Sequence, residues 1–321
     1  MILVTGGTGF IGSHLVENLL TRGDRVRALV RRTGLFDKAS VEVAYGDLVT
    51  GEGLIPALQG VDTVIHLAGV TKALSTAYYY AGNVRATENL ARGVAGSGHP
   101  IRMVHVSSQA AVGPGPDATP LTEDAEPNPV THYGKSKLEG ERVVRAILPD
   151  AVILRPPAVY GPRDTDVFQI LKSINRGFLA QVSGDERYFS TIYVADLVDG
   201  IIAAANSSRS SGRTYFLAHP AAVPWSELVG IAAKIMGRVP RTVSLSPQAA
   251  NAVGYCAELW AKLTRKPGIV SRDKIRDMQC RYWICDTRRA KEELGFVAPT
   301  DIREGLGSTL AWYREAKWLK W

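Results

Sequence analysis

The sequence predicts an α/β protein: a doubly wound parallel sheet carrying a smaller C-terminal lobe. Short β-rich runs alternate with longer helical patterns through the first half of the chain, the rhythm of βαβ units. A glycine cluster, Thr5-Gly6-Gly7-Thr8-Gly9-Phe10-Ile11-Gly12, stands between the first such run and the first helix. The rhythm stops at Arg155-Pro156-Pro157, and much of the remainder reads as helices joined by Pro/Gly turns, as expected of a lobe laid over one sheet edge.

In order, the pattern gives a strand over Ile2 to Val4, a helix over Ile11 to Leu20, a strand over Val26 to Val30, a helix over Leu54 to Leu58 and a strand over Val61 to Leu67. A helix over Val84 to Val94, a strand over Met103 to Val106, a helix over Ser136 to Ile147 and a strand over Ala151 to Leu154 continue it. Then come the loop Tyr160 to Asp164, a helix around Val167 to Ile174, a strand over Thr191 to Val194 and a helix over Leu197 to Ala205. The last two are candidates to return to the main sheet. Helices over Ala249 to Leu263 and Ile302 to Tyr313 complete the chain.

The 321 residues are 45% hydrophobic and 21% charged, which excludes disorder and small disulfide scaffolds. The net charge of +7 is spread among interleaved acidic residues, so no nucleic-acid partner is expected. Cys256, Cys280 and Cys285 show no ligand or disulfide spacing, which points to a reducing, cytoplasmic home. The opening lacks a signal-peptide pattern and no run of apolar residues is long enough to span a membrane, so neither secretion nor a membrane span is expected. The six histidines show no metal-ligand grouping, and no metal is expected.

The glycine cluster follows a strand and opens a helix, the context in which Gly6 or Gly7 makes the turn, Gly9 leaves room for a pyrophosphate and Gly12 lets helix and sheet pack closely. Unpaired N–H groups and the helix dipole at Phe10 and Ile11 then favour an anion. Residues 1–158 are therefore expected to form a dinucleotide-binding unit to which 187–206 returns, with 159–186 and 207–321 as the substrate-binding lobe. The second strand ends without a carboxylate and runs into Arg31-Arg32, which selects NADP(H) over NAD(H) if those guanidinium groups meet a 2′-phosphate, or is simply a solvated basic strand end. Asp47, in Gly46-Asp47-Leu48, either accepts from the adenine amino group or forms a turn.

Tyr133 and Lys137 stand at i and i+4, on one helix face, so an ammonium is set near a phenol whose pKa it would lower. That pairing suits proton transfer during hydride chemistry at a carbonyl, although surface helices also carry such pairs by chance. Ser108 falls at the carboxyl end of the strand Met103 to Val106, either to hold a substrate carbonyl or to cap a turn.

These motifs together with His66-Leu67-Ala68-Gly69, Asn83 to Leu90, Arg155 to Pro162 and Tyr193-Val194-Ala195-Asp196 resemble the extended branch of the short-chain dehydrogenase/reductase family, which includes NAD(P)-dependent epimerases and dehydratases. The resemblance implies a Rossmann-like sheet, Tyr133 as acid/base, Lys137 on the nicotinamide ribose, Ser108 polarising the substrate, and cofactor contacts at Ala68, Gly69 and Pro156. It also leaves room for a homodimer to which the helix Ser136 to Ile147 contributes. Asn83 matches a family Asn but Ala86 replaces the family's Gly, and Asn83 is read as structural.

Within the family the sequence is most similar to reductases of the dihydroflavonol reductase and 3β-hydroxysteroid dehydrogenase kind. Arg31-Arg32 and Phe189-Ser190-Thr191 depart from the nucleotide-sugar pattern, whereas Arg163 and Arg187 are available to bind a phosphate. The expectation is an NADP(H)-dependent oxidoreductase acting on a carbonyl or secondary alcohol of a moderately apolar small molecule; the alternative is an NAD-dependent nucleotide-sugar epimerase or dehydratase. Val253, Cys256, Leu259, Trp260 and Leu263 form one helical stripe, read first as packing on the core. Trp312, Lys317, Trp318, Lys320 and Trp321 give the tail an aromatic and basic character that fits either docking on the fold or a lipid interface. Tyr78-Tyr79-Tyr80 either lines the pocket or begins a helix.

Overall fold

The computed structural model describes residues 1–32, 34, 41–264, 268 and 271–321; residues 265–267 of the stretch Ala249 to Gly268 lie outside these. The first half runs β1 (Ile2–Thr5), α1 (Phe10–Thr21), β2 (Val26–Val30), β3 (Glu42–Tyr45), α2 (Leu54–Leu58), β4 (Thr63–His66), α3 (Thr76–Tyr80), a π-helical turn over Ala81–Arg85, α4 (Ala86–Ala95), β5 (Arg102–Val106), α5 (His132–Ile147) and β6 (Val152–Arg155). The second half runs β7 (Ala158–Tyr160), α6 (Asp166–Asn175), β8 (Phe178–Val182), β9 (Tyr188–Phe189), β10 (Thr191–Tyr193), α7 (Val194–Asn206), β11 (Thr214–Phe216), β12 (Val223–Pro224), α8 (Trp225–Met236), β13 (Arg241–Leu245), α9 (Pro247–Thr264), α10 (Arg272–Gln279), β14 (Tyr282–Trp283), α11 (Arg288–Leu294) and α12 (Ile302–Glu315).

Seven parallel strands form the main sheet in the order β11-β6-β5-β4-β1-β2-β3. Both faces are covered, which is why its strands read as unbroken apolar runs. Val4, Ile65 and Val104 point to one side and pack with Leu15 and Leu19 of α1 and Leu197 and Ile201 of α7. Their neighbours Leu3, Val64 and Met103 point to the other and meet Leu58, Leu90 and Val144. The order reverses between β4 and β1, which opens a crevice at their carboxyl ends, where ligands of such sheets bind.

Three expectations change. The strand at Thr191 forms but pairs with Ala158–Tyr160 instead of the main sheet, because Pro156-Pro157 has already carried the chain away from it. Thr214–Phe216, placed with the lobe, is instead the edge strand beside β6. The helix α5 begins at His132, ahead of the expected Ser136, because Thr131 is its N-cap and accepts from the Gly134 N–H at 3.0 Å.

The lobe has its own core, in which Leu171, Ile174, Met236, Leu306 and Tyr313 meet. The aromatic tail docks here: Trp318 stacks on Tyr313 with ring centroids 5.5 Å apart and meets the edge of Phe168 at 5.1 Å. The α9 stripe, in contrast, faces outward, with Trp260 67% and Leu263 78% exposed.

Candidate active site

After β1 the chain turns at Gly6 with φ +72°, and a Cβ there would stand 2.7 Å from the Ala68 backbone nitrogen. A Cβ on Gly12 would lie 2.1 Å from the Gly6 carbonyl oxygen, so helix and turn can approach this closely only without one. Gly9 caps α1 with no side-chain hydrogen bond, which leaves the first-turn N–H groups around Phe10 and Ile11 and the helix dipole to an anion. Gly7 is buried within the turn. A dinucleotide pyrophosphate fits this cradle.

Arg31 and Arg32 follow β2 directly and are exposed. Asp47 closes a turn: its Oδ1 accepts from the Val49 N–H at 2.7 Å, while the Asn89 amide donates to the carbonyls of Leu48 and Val49. Beyond β4, Ala68 donates its N–H to Thr5 Oγ1 at 3.3 Å, and Lys137 Nζ lies 3.9 Å from where a Gly69 Cβ would be. Pro156 accepts at its carbonyl from the Gln109 N–H at 2.9 Å, linking the loops after β5 and β6. All these groups gather at the carboxyl edge of the sheet.

Ser108 sits just beyond β5, with Oγ accepting from the Ala110 N–H at 3.2 Å and its side chain near enough to the Tyr133 phenol to favour the phenolate. Desolvation pushes the Tyr133 pKa up, and nearby Ser108 only partly offsets this. Lys137 is 5% exposed; its ammonium donates to the Val106 carbonyl at 2.8 Å, and burial lowers its pKa to about 8. The expected lowering of the Tyr133 pKa by Lys137 is thus absent from this arrangement: the ammonium is turned onto the strand, and desolvation dominates at the phenol.

Asn83, read from the sequence as structural, is the centre of a support beneath whose other members sequence reasoning missed. Asn83 Oδ1 accepts from the Val70 N–H at 2.7 Å, and its amide donates to the Val70 carbonyl and to Ser136 Oγ, both at 2.9 Å. Ser136 donates in turn to the Tyr133 carbonyl at 2.7 Å. Thr87 donates to the Asn83 carbonyl, so it accepts from His66 Nε2, whose Nδ1 then accepts from Thr5. This sequence of donors requires a neutral imidazole, and burial lowers the His66 pKa to about 3. Beyond Asn83 the residues are scattered in sequence, and of these Ser136, between Tyr133 and Lys137, carried a local signal.

Above the site, Tyr79 faces Tyr133 with ring centroids 6.4 Å apart, and Asp273 Oδ2 accepts from the His132 N–H at 2.7 Å. Tyr78 points to solvent. The two candidate phosphate-binding arginines are engaged elsewhere. Arg163 donates to Ser13 Oγ and Glu17 on α1, and Arg187 donates to the Val182 carbonyl at 2.9 Å.

Residues 2–218 match the sequence model of the NAD-dependent epimerase/dehydratase family. The chain is 30% identical to a ceramide reductase of Caulobacter vibrioides, over 99% of this chain and 96% of that one. It is 27% identical to an N-acetyl-α-D-glucosaminyl-diphospho-ditrans,octacis-undecaprenol 4-epimerase of Escherichia coli O157:H7, over 96% and 94%. Among solved structures, MoeE5 in complex with UDP-glucuronic acid and NAD superposes with a TM-score of 0.80 at 28% identity, covering 98% of this chain and 99% of that one. The glycine turn, the switch-point crevice and these likenesses agree: the chain is an enzyme and belongs to the NAD-dependent epimerase/dehydratase family of extended short-chain dehydrogenases/reductases.

Proposed function

We propose that this enzyme is an NADP(H)-dependent reductase of a ketone borne on a long apolar chain. The observation that carries the reading is the half-buried Tyr133 phenol, set beside Ser108 and one helical turn from Lys137. A phenol whose pKa is raised is protonated at neutral pH, the form a reduction needs. The cradle at Gly6, Gly9 and Gly12 would hold the pyrophosphate, with Ala68, Gly69, Pro156 and Lys137 along the remainder of the dinucleotide and Arg31 and Arg32 on its 2′-phosphate.

When bound, the reduced nicotinamide supplies the hydride. Ser108 donates a hydrogen bond to the ketone oxygen, and Tyr133 gives that oxygen its proton as negative charge develops there. Lys137 then offsets the charge left on the phenolate. The length of the apolar chain is argued from likeness to the ceramide reductase, with 30% identity over nearly the full length of both chains. Three free cysteines suit the cytoplasm.

Likeness to MoeE5 with UDP-glucuronic acid and NAD favours a second reading, a nucleotide-sugar epimerase. One experiment separates the two. Purified enzyme, stripped of nucleotide, is titrated with NADPH and with NADH in a calorimeter, then assayed with a long-chain ketone and with UDP-sugars. Tighter NADPH binding and ketone-dependent NADPH oxidation are expected; tightly retained NAD with UDP-sugar epimerisation overturns the proposal.

A further inference from the structure

The helix α10 opens on Ser271-Arg272-Asp273-Lys274, and Ser271 caps it, with Oγ accepting from the Lys274 N–H at 3.1 Å. Asp273 thus falls in the first turn, where the helix dipole favours a carboxylate. One of its oxygens leaves that helix. Oδ2 accepts at 2.7 Å from the N–H of His132, 141 residues earlier and the first residue of α5. Oδ1 accepts from Arg276 at 3.3 Å, within α10. A single carboxylate therefore stands at the N-termini of two helices. It is turned inward, with its side chain 19% exposed against 56% for Arg276.

We propose that Asp273 is a positioning residue, which from α10 fixes the first turn of α5 and with it the Tyr133 phenol. The proposal rests on Tyr133 as the acid/base, a role that the reductase and epimerase readings share. His132 directly precedes Tyr133, so a hydrogen bond to its N–H sets the backbone from which the phenol reaches the side of Ser108. Nothing local does this. Thr131 covers the Gly134 N–H, and the first turn of α5 holds no acidic residue of its own, so the negative charge that its N-terminus favours comes from α10.

The build of α10 agrees. Ile275 is its buried residue and packs on α9, 3.2 Å from where a Gly254 Cβ would stand. At 100° per residue Asp273 and Asp277 share the opposite face. That face looks onto the site: Asp273 is close enough to Tyr79, and Asp277 to Tyr133, for each carboxylate to disfavour the phenolate. Tyr79 in turn faces the Tyr133 ring. With one buried apolar side chain to hold it, α10 depends on the bond to His132 for its place beside Tyr133, and the same bond places Tyr133. Displacing a catalytic group by about 1 Å costs as much as a hundredfold in rate, so a contact that sets this spacing acts on turnover without touching substrate.

The test compares Asp273→Ala with Asp273→Asn in the full chain, since Asn keeps an oxygen that accepts from the His132 N–H and Ala keeps none. One readout needs no turnover: the carbon-13 resonance of the Tyr133 Cζ in tyrosine-labelled enzyme, assigned with Tyr133→Phe. It is expected to move in the Ala variant and to return in the Asn variant. The other is steady-state kinetics with the ketone or UDP-sugar that the wild type turns over. There kcat is expected to fall about tenfold in the Ala variant, the scale of one hydrogen bond to a charged group, with dinucleotide affinity unchanged because the glycine cradle is untouched. In the Asn variant kcat recovers to within about threefold of wild type, a neutral acceptor being roughly half as strong. An Ala variant with wild-type kcat and an unmoved resonance, a fall in kcat matched by an equal loss of dinucleotide affinity, or an Asn variant as impaired as Ala would each overturn the proposal. Failure of the reductase reading shows instead in the wild type, as no NADPH oxidation with any ketone, and leaves the Tyr133 resonance to decide the role of Asp273.

Discussion

Asn83 and Ser136 are joined by a hydrogen bond of 2.9 Å, and through it the π-helical turn is tied to the helix that carries Tyr133 and Lys137. Single-turn π-helical insertions recur at functional sites, and this one places a buried amide where three partners converge. Replacing Asn83 by Ala leaves the Val70 N–H and carbonyl without these partners. The expected loss is about 2 kcal/mol of stability, with a fall in kcat as the helix loosens. Thermal unfolding and steady-state kinetics of N83A check both; a variant matching the wild type in kcat would remove Asn83 from the positioning role.

Tyr133→Phe removes the proton donor and retains the ring that packs near Tyr79. Turnover is expected to fall at least about a hundredfold, while calorimetric NADPH affinity is retained. Near-normal turnover would refute the assignment of Tyr133 as the acid.

The pH dependence of rate and of stability should diverge. Lys137 has its pKa lowered to about 8 by burial, so its ammonium, and with it the turnover, is lost as pH rises through that value. In the unfolded chain the same lysine holds its proton up to its ordinary value, so between the two the unfolded state binds more protons and this group's contribution to stability rises with pH. Measured side by side, kcat should fall above pH 8 while Lys137 alone moves the melting temperature upward. The melting temperature of Lys137→Met should lack that rise; an identical pH profile in the variant would contradict the linkage.

Arg31→Ala and Arg32→Ala test the dinucleotide reading. Loss of one charge-assisted contact to a 2′-phosphate is worth roughly a tenfold weakening of NADPH binding, with NADH unaffected. Equal effects on both nucleotides would show that the two arginines read something other than that phosphate.

Beneath the sheet edge, Arg155 and Glu141 form a buried two-pronged ion pair, with Nη2 to Oε2 at 2.7 Å and Nε to Oε1 at 3.0 Å. Glu141→Gln leaves a buried guanidinium without its counter-charge, a change expected to remove about 3–5 kcal/mol. Urea denaturation is the measurement, and a midpoint close to wild type would mean that water or a neighbour replaces the carboxylate.

Local spacing made much of this legible. Tyr133 and Lys137 share a helix face by sequence separation alone, and the glycine turn lies between a strand and a helix that are contiguous in sequence. What depends on distant partners was not legible. The three residues of β11 become a strand only through pairing with β6, far away in sequence. The α9 stripe was visible as a stripe, but which side packs is decided by how closely α10 approaches Gly254. The donor sequence from Thr5 through His66 to Thr87 exists only once three elements meet.

Phe296 and Ala298 pack in the same apolar core as Val4 and Leu15, and the Phe296 ring sits 2.9 Å from where a Gly200 Cβ would stand. The apolar face of β1 is therefore sealed only by residues that follow α11, far later in the chain. While the chain is being made, the sheet face under α7 waits for Phe296 and Ala298, as does the β6 edge for β11. A growing chain thus exposes apolar surface and an unpaired strand edge until those later residues are made, the kind of surface on which chaperones act.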